Sequence, residues 1–391
     1  MSAIGWIDFD EAERERAQRL MQLFTERDTR DELGLGAIRD SIADHLFPGT
    51  STVQTRLRYM LFVPWIFSQL TARSDAREVA EQARTDQIRL RNALVAGMQD
   101  NGVIGVNAGS KLKRLPASVY WSGLHTWGIR RFPGSIEAYA ASLPTWSRAV
   151  AKDHADDDHS ADRTQSTPWH PRLPEAPADL LQVATFALTD EEAAFIVDRL
   201  VDSNPDSLLA FLASRDGRAD ADDIWTHPHV ADFPSVSRRI VAHAEIFSDA
   251  MYGASLLYNL MLSERRGNAD WVGRYEDQLA QWRQSFDAAR LQNWSLDIFW
   301  QETGHPAHQV LEPTRRFVSE WVELLRATRG LGRDRRKADA MVETRERRLK
   351  KGQSRFANRA ARDRWQGSSG AYRLQFRWSQ ARRHLDDLAR G

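Results

Sequence analysis

The sequence predicts a mainly α-helical protein with two helical domains, a linker and a basic helical C-terminal extension, and three features favour that class. Apolar and aromatic residues recur at helical spacing, most clearly over residues 271–286. Thr189 and Glu192 have the spacing of a capping box, in which two side chains satisfy the first backbone N–H groups of a helix. Proline and glycine end the helical patterns at sharp turns, as at Pro48 and Gly49.

The N-terminal helical domain is predicted over residues 1–148, around one buried helix. A helical stripe over 35–46 leads into a turn, and the next helix is apolar on every side over 59–67. Because such a helix has no face suited to water, we expect it at the centre of the domain. Phe62 and Ile66 are therefore predicted to be buried.

Three further segments follow along the chain. Residues 149–178 are acidic and then proline-rich, so we predict a linker there. The second helical domain is predicted over 179–328, with an apolar central helix that begins at Pro234 and the aromatic stripe of 271–286. Residues 329–391 are predicted to form the basic C-terminal extension, and we expect the rest of the chain to fold without it.

Several stretches resemble a bacterial family that carries only a domain-of-unknown-function label. They are GWIDF (5–9), LGLGAIRD (33–40), LFPGTSTVQTRLRYMLFVPWI (46–66), RLPASVYWSGLHTWGIRRFPGS (114–135), HAEIFSDAMYGASLLYNLML (243–262) and YRLQFRWSQARRHL (372–385). The resemblance covers the chain nearly end to end, and the family offers no catalytic residues to transfer. Its members are associated with anti-phage defence neighbourhoods, which implies antiviral defence as a setting and helicases or phospholipase-D-like nucleases as partner proteins.

The composition excludes several kinds of protein. The 391-residue chain has no cysteine, which excludes disulfides, thiolate metal sites and cysteine nucleophiles. Its N-terminus lacks the apolar core of a signal peptide, and its longest apolar run, 59–67, is far shorter than the roughly 20 residues that cross a bilayer. We therefore expect a cytoplasmic protein with no membrane partner. No nucleotide or metal motif is complete, so we expect no cofactor.

The formal net charge of zero hides a strong asymmetry. Residues 326–391 carry 20 Lys and Arg against 7 Asp and Glu, a net charge of +13, whereas residues 151–325 carry a net charge of −15. Cations at this density suit phosphate neutralisation, in which each Lys or Arg contact releases condensed counterions. We assign candidate nucleic-acid contacts to cations of the extension, which are Arg335, Arg336, Lys337, Arg347, Arg348, Lys350, Lys351 and Arg355.

A second basic segment lies in the N-terminal domain. Residues 102–131 contain five basic residues and no acidic one, and three glycines open the segment. Lys111, Lys113 and Arg114 follow these glycines in a loop that suits phosphate contact, although an ordinary solvent-exposed loop has the same composition. No GKS or GKT follows, so the glycines do not form a P-loop for a nucleotide.

These patterns favour a non-enzymatic subunit that binds nucleic acid or acts as an adaptor. Its nucleic acid is expected to be DNA, contacted through phosphates and therefore with weak sequence specificity. One alternative is a scaffold whose basic extension docks on an acidic protein surface, including the chain's own acidic middle.

The other alternative is a metal-dependent hydrolase or nuclease that uses His, Glu and Asp of the second domain. His243, Glu245 and Asp249 lie close together on the predicted central helix, where paired carboxylates suit acid–base or metal chemistry. Further imidazoles come from His227, His229, His305 and His308. No HExxH, GxSxG or kinase motif accompanies them, so we assign no catalytic and no metal-binding residue.

Overall fold

The computed structural model describes residues 31–70, 76–97, 102–106, 114–143, 168–215, 220–332 and 335–390. These residues are mainly helical and contain no β-strand, only two isolated bridges, which confirms the predicted mainly α fold class. A helical stretch covers 136–143. The other α-helices are α1 (Gly36–Leu46), α2 (Tyr59–Ser68), α3 (Ala76–Gly97), α4 (Pro116–Thr126), α5 (Asp190–Ser203), α6 (Leu208–Ala213), α7 (Ser235–Arg266), α8 (Ala269–Ser285), α9 (Ala288–Gln292), α10 (Leu296–Thr303), α11 (Glu312–Thr328), α12 (Arg336–Lys350), α13 (Arg359–Asp363) and α14 (Trp378–Leu388).

The chain divides into two compact units, and each is discontinuous in sequence. Unit 1 takes the described residues of Met1–Ile42 together with those of Ile240–Phe376. Unit 2 takes the described residues of Ala43–Arg239 together with those of Arg377–Gly391. This division differs from the predicted order of domains along the chain. Helical periodicity identifies each helix, but it does not indicate which distant segment will cover that helix.

The core of unit 2 is built around α2, in which every residue over 59–67 is buried. Phe62 and Ile66 are 0% and 2% exposed, which confirms their predicted burial. Helix α2 packs against α3 and α4, and the ring centroids of Tyr59 and Tyr120 lie 5.2 Å apart. The Tyr120 hydroxyl accepts a hydrogen bond from the backbone N–H of Thr55 at 2.8 Å, which fixes the segment that precedes α2.

The last residues of the chain belong to the core of unit 2. In α14, Trp378 is 0% exposed and its indole N–H donates to the carbonyl of Ala221 at 2.8 Å. Asp387 is also buried, and it pairs with Arg56, 331 positions earlier, at 2.9 Å from Nε and 2.8 Å from Nη2. This segment therefore supplies buried aromatic and ionic groups to unit 2, and the expectation that the rest of the chain folds without it stays a prediction.

Part of the predicted linker is also packed. Residues 149–167 lie outside the described residues, but 168–178 belong to unit 2. Trp169 is 5% exposed, and its indole N–H donates to the Tyr139 hydroxyl at 3.0 Å. The Trp within the proline-rich run contributes enough apolar area to hold this portion of the predicted linker on the core.

Unit 1 is built around the part of α7 that begins at Ile240. The indole N–H of Trp282 in α8 donates to the carbonyl of Asp249 at 3.0 Å, and that of Trp321 in α11 donates to the carbonyl of Ala250 at 2.9 Å. A Cβ atom at Gly253 would lie 2.5 Å from the Trp282 ring, so only glycine allows α7 and α8 to approach this closely. The aromatic stripe of α8 thus serves the core.

Candidate nucleic-acid interface

Helix α12 carries five of the eleven cations that the sequence assigns to nucleic acid, and it lies in unit 1. Basic residues fill its last turn, where positive charge stabilises the C-terminal end of the helix dipole. One face of α12 is buried through Ala338, Val342, Arg345 and Glu346. The orientation set by this face determines which cations reach solvent.

Arg345 anchors the buried face of α12. Its guanidinium donates to the carbonyl of Leu33 at 2.9 Å, to the carbonyl of Pro313 at 3.2 Å and to the Thr314 hydroxyl at 2.7 Å. It also stacks over the ring of Phe317, 5.3 Å from the centroid. Burial lowers the pKa of this guanidinium, but the acceptors around it satisfy its positive charge. Arg345 therefore fixes the last turns of α12 to the first turn of α11.

Two of the predicted phosphate contacts face an internal carboxylate instead of solvent. Glu32 is 5% exposed, and its carboxylate pairs with Arg355 at 2.6 Å and with Lys350 at 3.1 Å. Arg355 also donates to the Tyr258 hydroxyl at 2.9 Å. Beside them, Glu346 is 0% exposed and accepts from the backbone N–H of Arg355 at 2.7 Å, and burial raises the pKa of Glu346. In this structure Lys350 and Arg355 therefore neutralise acidic residues of unit 1, and their assignment to phosphate stays a prediction.

Two other predicted contacts are partly neutralised on the surface. Arg335 pairs with Glu264 and, at 3.2 Å, with Asp339. Arg347 pairs with Glu343 at 2.7 Å, four residues earlier on α12, and its side chain is 51% exposed. Exposed pairs of this kind are worth about 0–1 kcal/mol, so a phosphate can displace either carboxylate.

The remaining cations form an exposed row, here called the basic ridge, which consists of Lys337, Arg348 and Lys351. All three are exposed, and none makes an ion pair with another described residue. Lys337 and Arg348 are eleven positions apart, so they point within about 20° of each other and about 16 Å apart along the helix. Lys351 follows directly after the last residue of α12. Arg336 and Arg347 are exposed on the same helix.

The second predicted basic segment contributes one described cation. Arg114 is exposed in unit 2, just before α4. Lys111 and Lys113 lie outside the described residues, so their assignment to phosphate stays a prediction.

His243, the histidine of the hydrolase alternative, has both ring nitrogens occupied. The indole N–H of Trp294 donates to Nδ1 at 2.7 Å, which requires Nδ1 to be unprotonated. The proton therefore sits on Nε2, which donates to the Glu302 carboxylate at 3.1 Å. In this arrangement His243 cannot accept a proton without losing its bond to Trp294.

The two carboxylates of that alternative face different arginines instead of each other. Glu245 pairs with Arg290 at 2.5 Å, and Asp249 pairs with Arg373. Burial raises the pKa of Asp249, and the charge of Arg373 opposes that rise. The geometry therefore separates the predicted acid–base pair into two ion pairs.

The other four histidines do not converge on these carboxylates. His227 is 1% exposed and packs against Trp378 and Phe233 in unit 2. His229 lies on the surface of the same unit, beside Asp232. His305 and His308 line a cavity of unit 1.

Comparison with known proteins gives a family but no activity. A family model described as "Family of unknown function (DUF6361)" matches residues 1–391, which confirms the resemblance to a family of unknown function. No curated protein and no solved structure matches the chain. No helix in the described part of the chain combines the length and apolar content that crossing a bilayer requires.

Proposed function

Because this chain belongs to DUF6361, a family of unknown function, its relatives supply no activity, and we propose from its own charges that it is a non-enzymatic subunit that binds nucleic acid through phosphates. The observation that carries the proposal is the basic ridge: three exposed cations, two on α12 and one directly after it, that no described carboxylate neutralises.

The physical basis of the proposal is counterion release. Nucleic acids carry a condensed layer of cations, and a protein cation that replaces part of this layer gains the entropy of the released ions. A cation held by a carboxylate must first break its own ion pair, which reduces the gain. Lys337, Arg348 and Lys351 avoid that cost, and Arg336 and Arg347 add positive potential beside them.

Contacts of this kind position nucleic acid without reading its sequence. We therefore propose DNA as the ligand and weak sequence specificity as the mode. We further propose that the protein works beside a helicase or nuclease of an anti-phage defence system, in the cytoplasm, since the family resemblance implies that setting. Under this proposal the catalytic step belongs to the partner protein.

The test is a fluorescence-anisotropy titration on labelled duplex DNA at several salt concentrations. The slope of log K against log salt is about −0.9 per phosphate contacted, so the triple reversal Lys337→Glu, Arg348→Glu and Lys351→Glu should make that slope less steep by about 2.7. The loss in affinity should be similar on unrelated DNA sequences, because the contacts are made to phosphates.

A matched control reverses three exposed arginines of unit 2, Arg89, Arg172 and Arg238, to Glu. This control changes the net charge equally and should leave the salt slope as in wild type. Wild-type protein that binds neither DNA nor RNA at low salt would refute the proposal. Equal slopes for the ridge variant and wild type would show that phosphates are contacted elsewhere.

A further inference from the structure

A cavity of about 600 Å³ opens on unit 1, at the segment that joins α10 to α11. This volume lies within the range of about 300–1,000 Å³ that is typical of small-molecule sites. Helix α1 contributes Ile38 and Ser41 to one part of the wall. The chemically distinctive lining residues are Trp300, His305, His308, Gln309, Glu312 and Arg315.

Two planar groups in this wall are already stacked. The Arg315 guanidinium lies 4.8 Å from the centroid of the Trp300 ring, and both side chains are only half-buried. Proteins hold unpaired bases by stacking them on aromatic rings and on guanidinium planes, and Trp300 and Arg315 supply one of each.

The edge of the cavity also carries hydrogen-bonding groups that a base requires. Glu312 is exposed at the first position of α11 and offers carboxylate oxygens. These oxygens can accept from an exocyclic amino group, which adenine and cytosine carry and uracil and thymine lack. Gln309 adds both an amide donor and an amide acceptor.

The cavity and the basic ridge share one framework. Arg345 on α12 bonds to Pro313 and Thr314, which stand between Glu312 and Arg315 in the first turn of α11. Arg348, three residues after Arg345, belongs to the ridge. The ridge and the cavity therefore belong to the same unit and are connected through Arg345.

We propose that this cavity binds an unstacked nucleobase that carries an exocyclic amino group, with Trp300 and Arg315 as the stacking surface and Glu312 as the acceptor. The inference rests on the proposed nucleic-acid function, and it extends that function from phosphate contact to recognition of an unpaired nucleotide. The base can come from a single strand or from a free nucleotide.

The first experiment is calorimetric titration of the full chain with adenosine monophosphate, uridine monophosphate and inorganic phosphate. Adenosine monophosphate should bind most tightly, and inorganic phosphate should not compete with it. Trp300→Ala should weaken the binding of adenosine monophosphate by about 10-fold or more, since stacking on an aromatic side chain contributes that much per base. Trp300→Phe keeps an aromatic face and should retain most of the affinity. Tyr372→Ala removes an exposed aromatic residue of the same unit outside this cavity, and it should have no effect.

The second experiment separates the source of the base. Wild type should prefer a single strand to a blunt duplex of the same sequence at equal salt, and Trp300→Ala should lose that preference. Binding of the mononucleotide without strand preference would assign the cavity to a free nucleotide, which also supports the site. If the triple reversal of Lys337, Arg348 and Lys351 still binds the mononucleotide, the cavity binds its ligand independently of the ridge. The site in the cavity is then supported even if the phosphate contacts of the ridge are not. Adenosine monophosphate that fails to bind wild type, or binds Trp300→Ala equally well, would overturn the inference.

Discussion

His384 should make the folding stability of this protein depend on pH. The residue lies in α14 and is 2% exposed, and neither ring nitrogen has a hydrogen-bond partner among the described residues. Its ring meets that of Trp127 edge to face, with centroids 6.3 Å apart. Burial, together with the positive charges of Arg383 and Arg56, lowers the pKa of His384 to about 3. The fold therefore holds this imidazole neutral.

The sign and size of the effect follow from proton binding. In the unfolded chain the pKa of a histidine is about 6.5, so below that pH the unfolded state takes up a proton that the folded state refuses. Stability from this group is complete above pH 6.5 and is lost as the pH falls towards 3. Each pH unit in that window costs about 1.4 kcal/mol, so the loss between pH 7 and pH 5 is about 2 kcal/mol.

The perturbation is His384→Leu, and the assay is urea unfolding at pH 7 and at pH 5. The variant should lose about 2 kcal/mol less stability than wild type between the two pH values. Any change in packing is common to both pH values and cancels in this difference. Leu385→Ala is the control, because it removes buried apolar volume next to His384 but no titrating group. Its loss of unfolding free energy between pH 7 and pH 5 should therefore equal that of wild type. If His384→Leu loses as much unfolding free energy between pH 7 and pH 5 as wild type does, the reasoning is refuted.

Three further variants test an apolar core position, a buried ion pair and the hydrolase alternative. Phe62→Ala in α2 should lower the free energy of unfolding by about 3–5 kcal/mol, and an unchanged thermal melt would show that the site is not a core position. Asp387→Asn should cost about 3–5 kcal/mol by urea unfolding, since Arg56 would keep an uncompensated buried charge, and a cost near zero would mean that water solvates this arginine. Glu245→Gln with Asp249→Asn should leave the biological activity intact in protein that still folds, and a loss of activity there would favour the hydrolase.

The helices were predictable from sequence because each one depends on local periodicity. The burial of Phe62 followed from a run that is apolar on all faces. The grouping of helices into units did not follow, since it depends on contacts between distant residues. Arg355 shows the difficulty: its carboxylate partner Glu32 lies 323 positions earlier, and a count of charge along the chain cannot detect that pair. Local charge density therefore identified a basic segment but overestimated its free cations.

The candidate site was predictable in part for the same reason. Lys337, Arg348 and Lys351 belong to the basic run, and the exposure of Lys337 and Arg348 follows from the face of α12 that they share. The stacked pair of Trp300 and Arg315 was missed, because fourteen tryptophans make a half-exposed one indistinguishable from the core by sequence. Arg315 lies fifteen residues after Trp300. It can be recognised as the stacking partner of Trp300 only if the turn between α10 and α11 is already known.

The small number of ridge cations gives a physical reason why the proposed function would involve a partner protein on the same DNA. The C-terminal +13 at first suggests a strong electrostatic ligand for DNA. Ion pairs with Glu32, Glu264 and Glu343 remove part of that charge from solvent. Three ridge cations correspond to a salt slope of about −2.7, which describes modest binding at physiological salt. A protein with so few phosphate contacts gains from a partner that holds the same DNA, since linked sites raise the effective local concentration. The proposed function is therefore that of a positioning subunit that shares DNA with a partner, and not that of a protein that occupies DNA alone.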